Sequence, residues 1–177
     1  MAGSDRAAYL PGMDQFDRPA ATDGGRDDAI EGQPAVRDAA AILARAAADA
    51  AAADEAREQY RTERMATLEP DTRIAPLLDS DELVLAVRHG AVFDRRQYIR
   101  GSDAPASIAG ALYLTTRRLM LVGRVTLSID LGVIEEVGLS GGRVVLALRD
   151  GTGVLVEVAE PRLLRVEIAA ARASARI

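Results

Sequence analysis

Between residues 110 and 160, apolar and polar side chains alternate in six short runs. Leu127 and Ile129, for example, alternate with polar neighbours, which is typical of a strand with one buried face. The dipeptides Gly141-Gly142 and Asp150-Gly151 stand between consecutive runs and favour hairpin turns, because glycine adopts positive φ at little cost. The pattern therefore predicts a set of short antiparallel strands joined by tight turns.

The same pattern begins earlier and ends in a helix. The run DELVLAVR at residues 81–88 predicts a first strand, and His89-Gly90 predicts a turn or a bulge after it. Pro161 suits the first position of a helix. The apolar stripe of that helix consists of Leu164, Ile168 and Ala171. We therefore expect residues 70–177 to be a mainly β domain with flanking helices, a seven-stranded antiparallel barrel capped by a C-terminal helix.

The segment before this domain is rich in alanine. Residues 35–68 contain no Gly or Pro, and Ala is the strongest helix former, so one long helix is predicted over residues 34–69. This helix either mediates oligomerisation or partner contact, or is a solvated linker. Residues 1–33 carry seven acids against three Arg, with large apolar residues scattered without a period, and are predicted to be a disordered acidic tail.

Composition narrows the class of protein. The chain has 177 residues and a net charge of −5, which argues against general nucleic-acid binding. It contains no Cys, which excludes disulfides and thiolate metal sites. All 22 basic residues are Arg, which we interpret as the G and C bias of a bacterial genome. Neither a signal peptide nor a membrane-spanning apolar run is apparent, so we expect a cytoplasmic location.

Three segments carry a resemblance to a known fold. They are Asp81-Glu82 before the first strand, GALYLTTRRL at residues 110–119 and SIDLGVI at residues 128–134. This order resembles the pleckstrin-homology-like (PH-like) superfold, and within it the GRAM-type and bacterial PH-like domains. The resemblance implies a module that binds lipid, peptide or protein and has no catalytic residues. In this pattern Gly110 lets the chain turn into its strand, and Tyr113 buries its ring while its hydroxyl reaches a polar edge.

One cluster of basic residues stands out in the predicted domain. Residues 95–124 contain six Arg and a single acid, Asp103, for a net charge of +5. The cluster consists of Arg95, Arg96, Arg100, Arg117, Arg118 and Arg124. If the first strands are hairpin neighbours, several of these guanidinium groups converge on one face and bind an anionic headgroup or phosphate. The alternative is that they are solvated or pair with nearby acids, which is the commoner arrangement.

The sequence does not indicate a catalytic or metal site. His89 is the only His and there is no Cys, so a typical transition-metal site is excluded. No nucleophile, base and orienting group stand together as a recognisable set. Adjacent carboxylates such as Glu135-Glu136 look like surface residues, and LSGGR at residues 139–143 joins two strands instead of opening a phosphate-binding helix. We therefore expect no enzyme activity, no cofactor and no metal.

These observations favour a non-enzymatic protein-binding or adaptor module whose partner is another protein. The alternative is a peripheral membrane module, at the inner face of the membrane, that binds anionic lipid through the Arg cluster.

Overall fold

The chain folds into one antiparallel sheet, with one helix before it and one after it in the sequence. The computed structural model describes residues 33–94 and 107–175, with side chains from residue 38 onward. Helix α1 is Gln33–Thr62, helix α2 is Pro161–Ser174, and a short 3-10 turn is formed by Ala75–Leu77. The strands are β1 (Val84–Asp94), β2 (Ser107–Thr115), β3 (Arg118–Gly123), β4 (Thr126–Asp130), β5 (Ile134–Ser140), β6 (Arg143–Leu148) and β7 (Gly153–Glu157). Their order in the sheet is β4-β3-β2-β1-β7-β6-β5.

The predicted mainly β fold with flanking helices is confirmed. Gly141 and Gly142 form the β5–β6 hairpin with φ of +55° and +75°. His89-Gly90 is a bulge inside β1, because the pairing of β1 with β2 shifts between Arg88 and Ala91 while the strand continues to Asp94. Gly90 has a φ of +70°, which a residue with a side chain rarely adopts.

The sheet is open, whereas the sequence suggested a closed barrel. Among the described strands, β4 and β5 are consecutive in the chain but form the two opposite edges of the sheet. The backbone between them is hydrogen-bonded elsewhere. The Leu131 amide donates to the Arg117 carbonyl (2.8 Å), and the Arg149 amide donates to the Val133 carbonyl (2.9 Å). The chain therefore passes from one edge to the other through a turn, not through a closing ladder.

The main core lies between the sheet and α2. The apolar stripe of α2 is buried there as predicted, together with aliphatic side chains from β1 to β7 such as Leu121 and Leu146. A second cluster lies on the other face of β1–β3, where Tyr113 and Met120 pack against Ile74. The segment that precedes β1 therefore covers a face of the sheet for which the sequence analysis named no partner.

Gly110 lies inside β2, opposite Gly123 of β3. A Cβ atom at Gly110 would lie 2.6 Å from the carbonyl oxygen of Val122, which is closer than real Cβ contacts. The two strands approach at this pair because neither residue has a side chain. The turn into the strand that the sequence suggested for Gly110 is thus replaced by a close contact between strands.

Helix α1 ends at Thr62, although the sequence predicted a helix as far as residue 69. The Leu68 amide donates to the Val84 carbonyl (2.8 Å) and forms an isolated bridge with the first residue of β1. Pairing with the sheet therefore competes with helix propagation over residues 63–69. Thr62 itself turns its hydroxyl back to the Gln59 carbonyl (3.2 Å).

The C-terminal half of α1 packs on α2. Asp49 is 5% exposed, and its carboxylate accepts hydrogen bonds from the Arg162 and Leu163 amides, both at 3.0 Å. One helix thus caps the N-terminus of the other, where unpaired amides favour an anion. The apolar contact consists of Ala53, Ala56 and Val166. Residues 38–48 are exposed, and self-association through α1 stays a prediction. The predicted disordered tail is residues 1–33, all of which lie outside the described residues except Gln33, the first residue of α1.

Candidate functional site

An open groove of about 720 Å³ lies where both helices end beside the start of β1. Its lining comes from residues 60–65 and 67, from Leu83, Leu85 and Thr116, and from residues 170, 171 and 173–175. We call it the helix-end groove. One wall is the chain that leaves α1, the second is the last turn of α2, and the floor is the first part of β1.

Hydrogen bonds at the start of β1 hold the floor of the helix-end groove. The Leu83 amide donates to the Thr116 hydroxyl (3.2 Å), and the Thr116 amide donates to the Leu83 carbonyl (2.9 Å). These bonds fix Leu83 with half of its surface (50%) exposed to the groove. The bridge between Leu68 and Val84 holds the opposite wall against the same strand.

The helix-end groove is apolar at its floor and charged at its rim. Leu85 and Met65 are half-buried there and also contact the main core, so they are fixed in position. At the rim, Arg61 is paired with Glu58 at 2.8 Å. Arg64 is exposed and has no ion-pair partner among the described residues. Both helices end here, and the last carbonyl groups of a helix accept hydrogen bonds from outside it. The groove can therefore hold apolar side chains, backbone amides and a carboxylate.

A buried ionic network lies under the same end of the sheet. The side chain of Glu82 is fully buried, and Arg118 binds it through Nε (2.9 Å) and Nη2 (2.6 Å). The Thr115 hydroxyl donates to Glu82 (2.6 Å) and accepts from the Arg118 amide (2.9 Å). Burial alone raises the pKa of Glu82, but the hydrogen bonds from Arg118, Thr115 and the Asp79 amide outweigh it, so the pKa lies below its usual value. The network fixes the segment that leads into Leu83.

A second buried pair joins β1 to α2 beside the groove. Arg88 donates from Nη2 to both carboxylate oxygens of Glu167 (2.9 Å each), and its Nε lies 3.4 Å from Glu160. Burial raises the pKa of Glu167, and the charge of Arg88 offsets this only in part. Burial, with the charge of Glu167, also raises the pKa of Tyr60, which lines the groove. The Arg88–Glu167 pair therefore holds α2 against β1.

Tyr113 behaves as the sequence suggested. Its ring is 1% exposed and its hydroxyl donates to Asp71 at 2.6 Å. Asp71 also accepts from the amides of Arg73 (2.8 Å) and Ile74 (3.0 Å). Burial and this carboxylate raise the pKa of Tyr113 to about 12, so the hydroxyl remains a donor.

The structure separates the described members of the arginine cluster, because Arg117 and Arg118 lie together beside Asp79 whereas Arg124 lies apart from them. Arg117 contacts Asp79 and Asp81, and Arg118 is held by Glu82. Arg124 is exposed at the other end of β3, about 20 Å away along the strand. Arg95, Arg96 and Arg100 lie outside the described residues. Of the cations that the lipid hypothesis requires, Arg117 and Arg118 are therefore already paired with acids of the same chain.

The described residues contain no group of three or more His, Cys, Asp and Glu side chains that could hold a metal ion. His89 is exposed in the β1 bulge. Over residues 33–94 and 107–175, no helix is both apolar enough and long enough to cross a bilayer.

Sequence reasoning missed the helix-end groove. The sequence did contain one signal for it, the run DELVLAVR. In this run the residues of both strand faces are mostly apolar, and a strand with two apolar faces needs other elements to cover each of them. The contact of α1 with α2, which forms the rest of the groove, depends on Asp49 and on small residues that no periodicity distinguishes from neighbouring alanines.

Comparisons with known proteins do not assign a family. No protein-family model matches the chain, and no curated protein matches it. The fold is similar to a solved structure, the C-terminal domain of an unknown protein from Leishmania infantum, with a TM-score of 0.40 and 14% identity. That match covers 59% of this chain and 93% of the other. A likeness at this level assigns neither a family nor a function to the chain.

Proposed function

We propose that this chain is a non-enzymatic protein-binding or adaptor module that docks an extended segment of a partner protein in the helix-end groove. The observation that carries the proposal is the groove itself, with its half-exposed Leu83 on the floor and the exposed Arg64 at the rim.

The second part of the proposal is that the domain is PH-like. Three strands lie on each side of β1 in the sheet, and a C-terminal helix covers the core. This arrangement, together with the sequence pattern of residues 110–119 and 128–134, supports the assignment. The open edges β4 and β5 are compatible with two half-sheets that fold over a common core.

The expected ligand follows from the lining of the helix-end groove. Apolar side chains of an extended peptide would cover Leu83 and Met65, which removes apolar surface from water. Its backbone amides would meet the terminal carbonyls of α2. A carboxylate on the peptide would pair with Arg64.

A matched pair of substitutions tests the docking site. Leu83 and Val125 are equally exposed, at 50% and 49%, but only Leu83 lines the groove. Partners recovered with the wild-type chain are identified, purified, and titrated by calorimetry against the variants Leu83→Asp and Val125→Asp. We expect Leu83→Asp to weaken binding by about tenfold or more, which corresponds to about 1.4 kcal/mol, and Val125→Asp to leave it unchanged. Equal binding by both variants would contradict the proposal.

Peripheral membrane binding is the second candidate. Arg124 is exposed and lies near the end of the sheet where Asp94 and Ser107 flank the segment that contains Arg95, Arg96 and Arg100. If this end binds anionic lipid, the chain co-sediments with phosphatidylserine vesicles at low salt, and Arg124→Glu reduces the bound fraction. Absence of sedimentation at low salt removes this candidate.

A further inference from the structure

We infer that the helix-end groove, in the absence of a partner, binds residues 13–17 (MDQFD) of the chain's own N-terminal region. This inference rests on the proposed function, because it takes the groove as a docking surface, and it adds a competing occupant that partners must displace.

The length of chain before α1 is sufficient. Helix α1 has 30 residues and is therefore about 45 Å long, with Gln33 at one end and the groove at the other. A segment that runs back along the helix at about 3.3 Å per residue needs roughly 14 residues. Residues that precede about position 19 can thus reach the groove without any change in the described structure.

The chemistry of residues 13–17 complements the groove. Met13 and Phe16 are large apolar residues that match the apolar floor around Leu83. Asp14 and Asp17 provide carboxylates for the rim, where Arg64 has no ion-pair partner among the described residues. Residues 1–33 carry seven acids against three Arg, whereas the lining has Arg61 and Arg64 against Glu63.

A single tryptophan provides the test. The chain has no Trp, so Phe16→Trp in the full-length protein introduces the only indole. If the segment is docked, the emission lies at shorter wavelength than that of free tryptophan amide, and acrylamide quenches it less. Addition of Leu83→Asp should move both readouts to the values of the free amide, whereas addition of Val125→Asp should leave them unchanged.

A charge reversal provides a second variant, because Arg64 is exposed and belongs to none of the buried clusters. Arg64→Asp should increase quenching of the indole, and Asp17→Arg in the same chain should restore protection. Emission equal to that of the free amide in the Phe16→Trp protein overturns the inference. An emission shift that Leu83→Asp does not change also overturns the inference. An emission shift that grows with protein concentration overturns it as well, because the occupant would then be a second copy of the chain. The proposed function is judged separately, since it depends on Leu83 and a purified partner.

Discussion

The Arg118–Glu82 pair makes a sharp prediction about stability. In Arg118→Met the aliphatic part of the side chain is largely kept, but the Glu82 carboxylate loses its two donors at 2.9 and 2.6 Å. Its side chain is fully buried, and only the Thr115 hydroxyl and the Asp79 amide still bind it. Removal of one partner from a buried pair costs about 3–5 kcal/mol. Because a quarter of the Arg118 side chain reaches solvent, we expect about 3 kcal/mol, near the lower limit of that range.

The adjacent Arg117 is the matched control. About half of its side chain is exposed, and its partners Asp79 and Asp81 are also exposed. Arg117→Met should therefore change the free energy of unfolding by less than about 1 kcal/mol. The measurement is urea denaturation followed by circular dichroism at neutral pH. If the two variants unfold at the same urea concentration, the reasoning is wrong.

The pH dependence gives an independent check. The pKa of Glu82 is lowered in the folded chain, so its ionised form contributes stability above the usual value of 4.5, and this contribution is lost as the pH falls through the folded pKa. The difference between wild type and Arg118→Met should consequently shrink as the solution is acidified. The double variant Arg118→Met/Glu82→Gln should also recover part of the lost stability at neutral pH, because no buried charge remains. A difference that persists in acid would refute the electrostatic explanation.

Three further predictions concern other contacts. Asp49→Ala should destabilise the protein by about 1–2 kcal/mol through loss of the α2 cap, whereas the exposed Asp54→Ala should cost less than about 1 kcal/mol, both measured by urea denaturation. Gly110→Ala should lower the thermal midpoint of unfolding, because the new methyl group meets the β3 backbone. Gly138→Ala is the control and should not lower it, because the nearest atom lies 4.0 Å from the new Cβ. Equal midpoints for the two variants would contradict the close contact at Gly110. Burial raises the pKa of Glu167 above 4.5, so its contribution to stability falls as the pH rises through the folded pKa. The free energy of unfolding of Glu167→Gln should therefore rise relative to that of the wild type as the pH is raised from acidic to neutral. A difference between the two proteins that does not change with pH would argue against the raised pKa.

The strands were predictable because each one carries its own signal. Alternation places Leu127 and Ile129 on the buried side of β4, and the glycine pair at residues 141–142 forms the turn that its conformational freedom favours. The terminal helix followed in the same way from its stripe. In these elements local sequence preference and burial in the core agree, so the pattern alone was sufficient.

The parts that were not predictable depend on contacts between residues distant in sequence. The end of α1 is set by Leu68 pairing with Val84, and helix propensity carries no information about that competition. Arg118 belongs to a positively charged stretch of the sequence, but in the fold it is paired with Glu82, which lies 36 residues earlier in the chain. The groove arises only after α1, β1 and α2 have met.

The two unpaired margins of the sheet have a consequence for behaviour at high concentration. Each margin presents a row of peptide groups that another molecule could extend into a continuous ribbon. β4 has only five residues, and β5 carries Glu135 and Glu136 with both side chains in solvent. If two copies paired through their β5 edges, these carboxylates would come close together. Their mutual repulsion disfavours edge-to-edge association. Their replacement by threonine would remove this repulsion, and we expect the variant to aggregate more readily than the wild type.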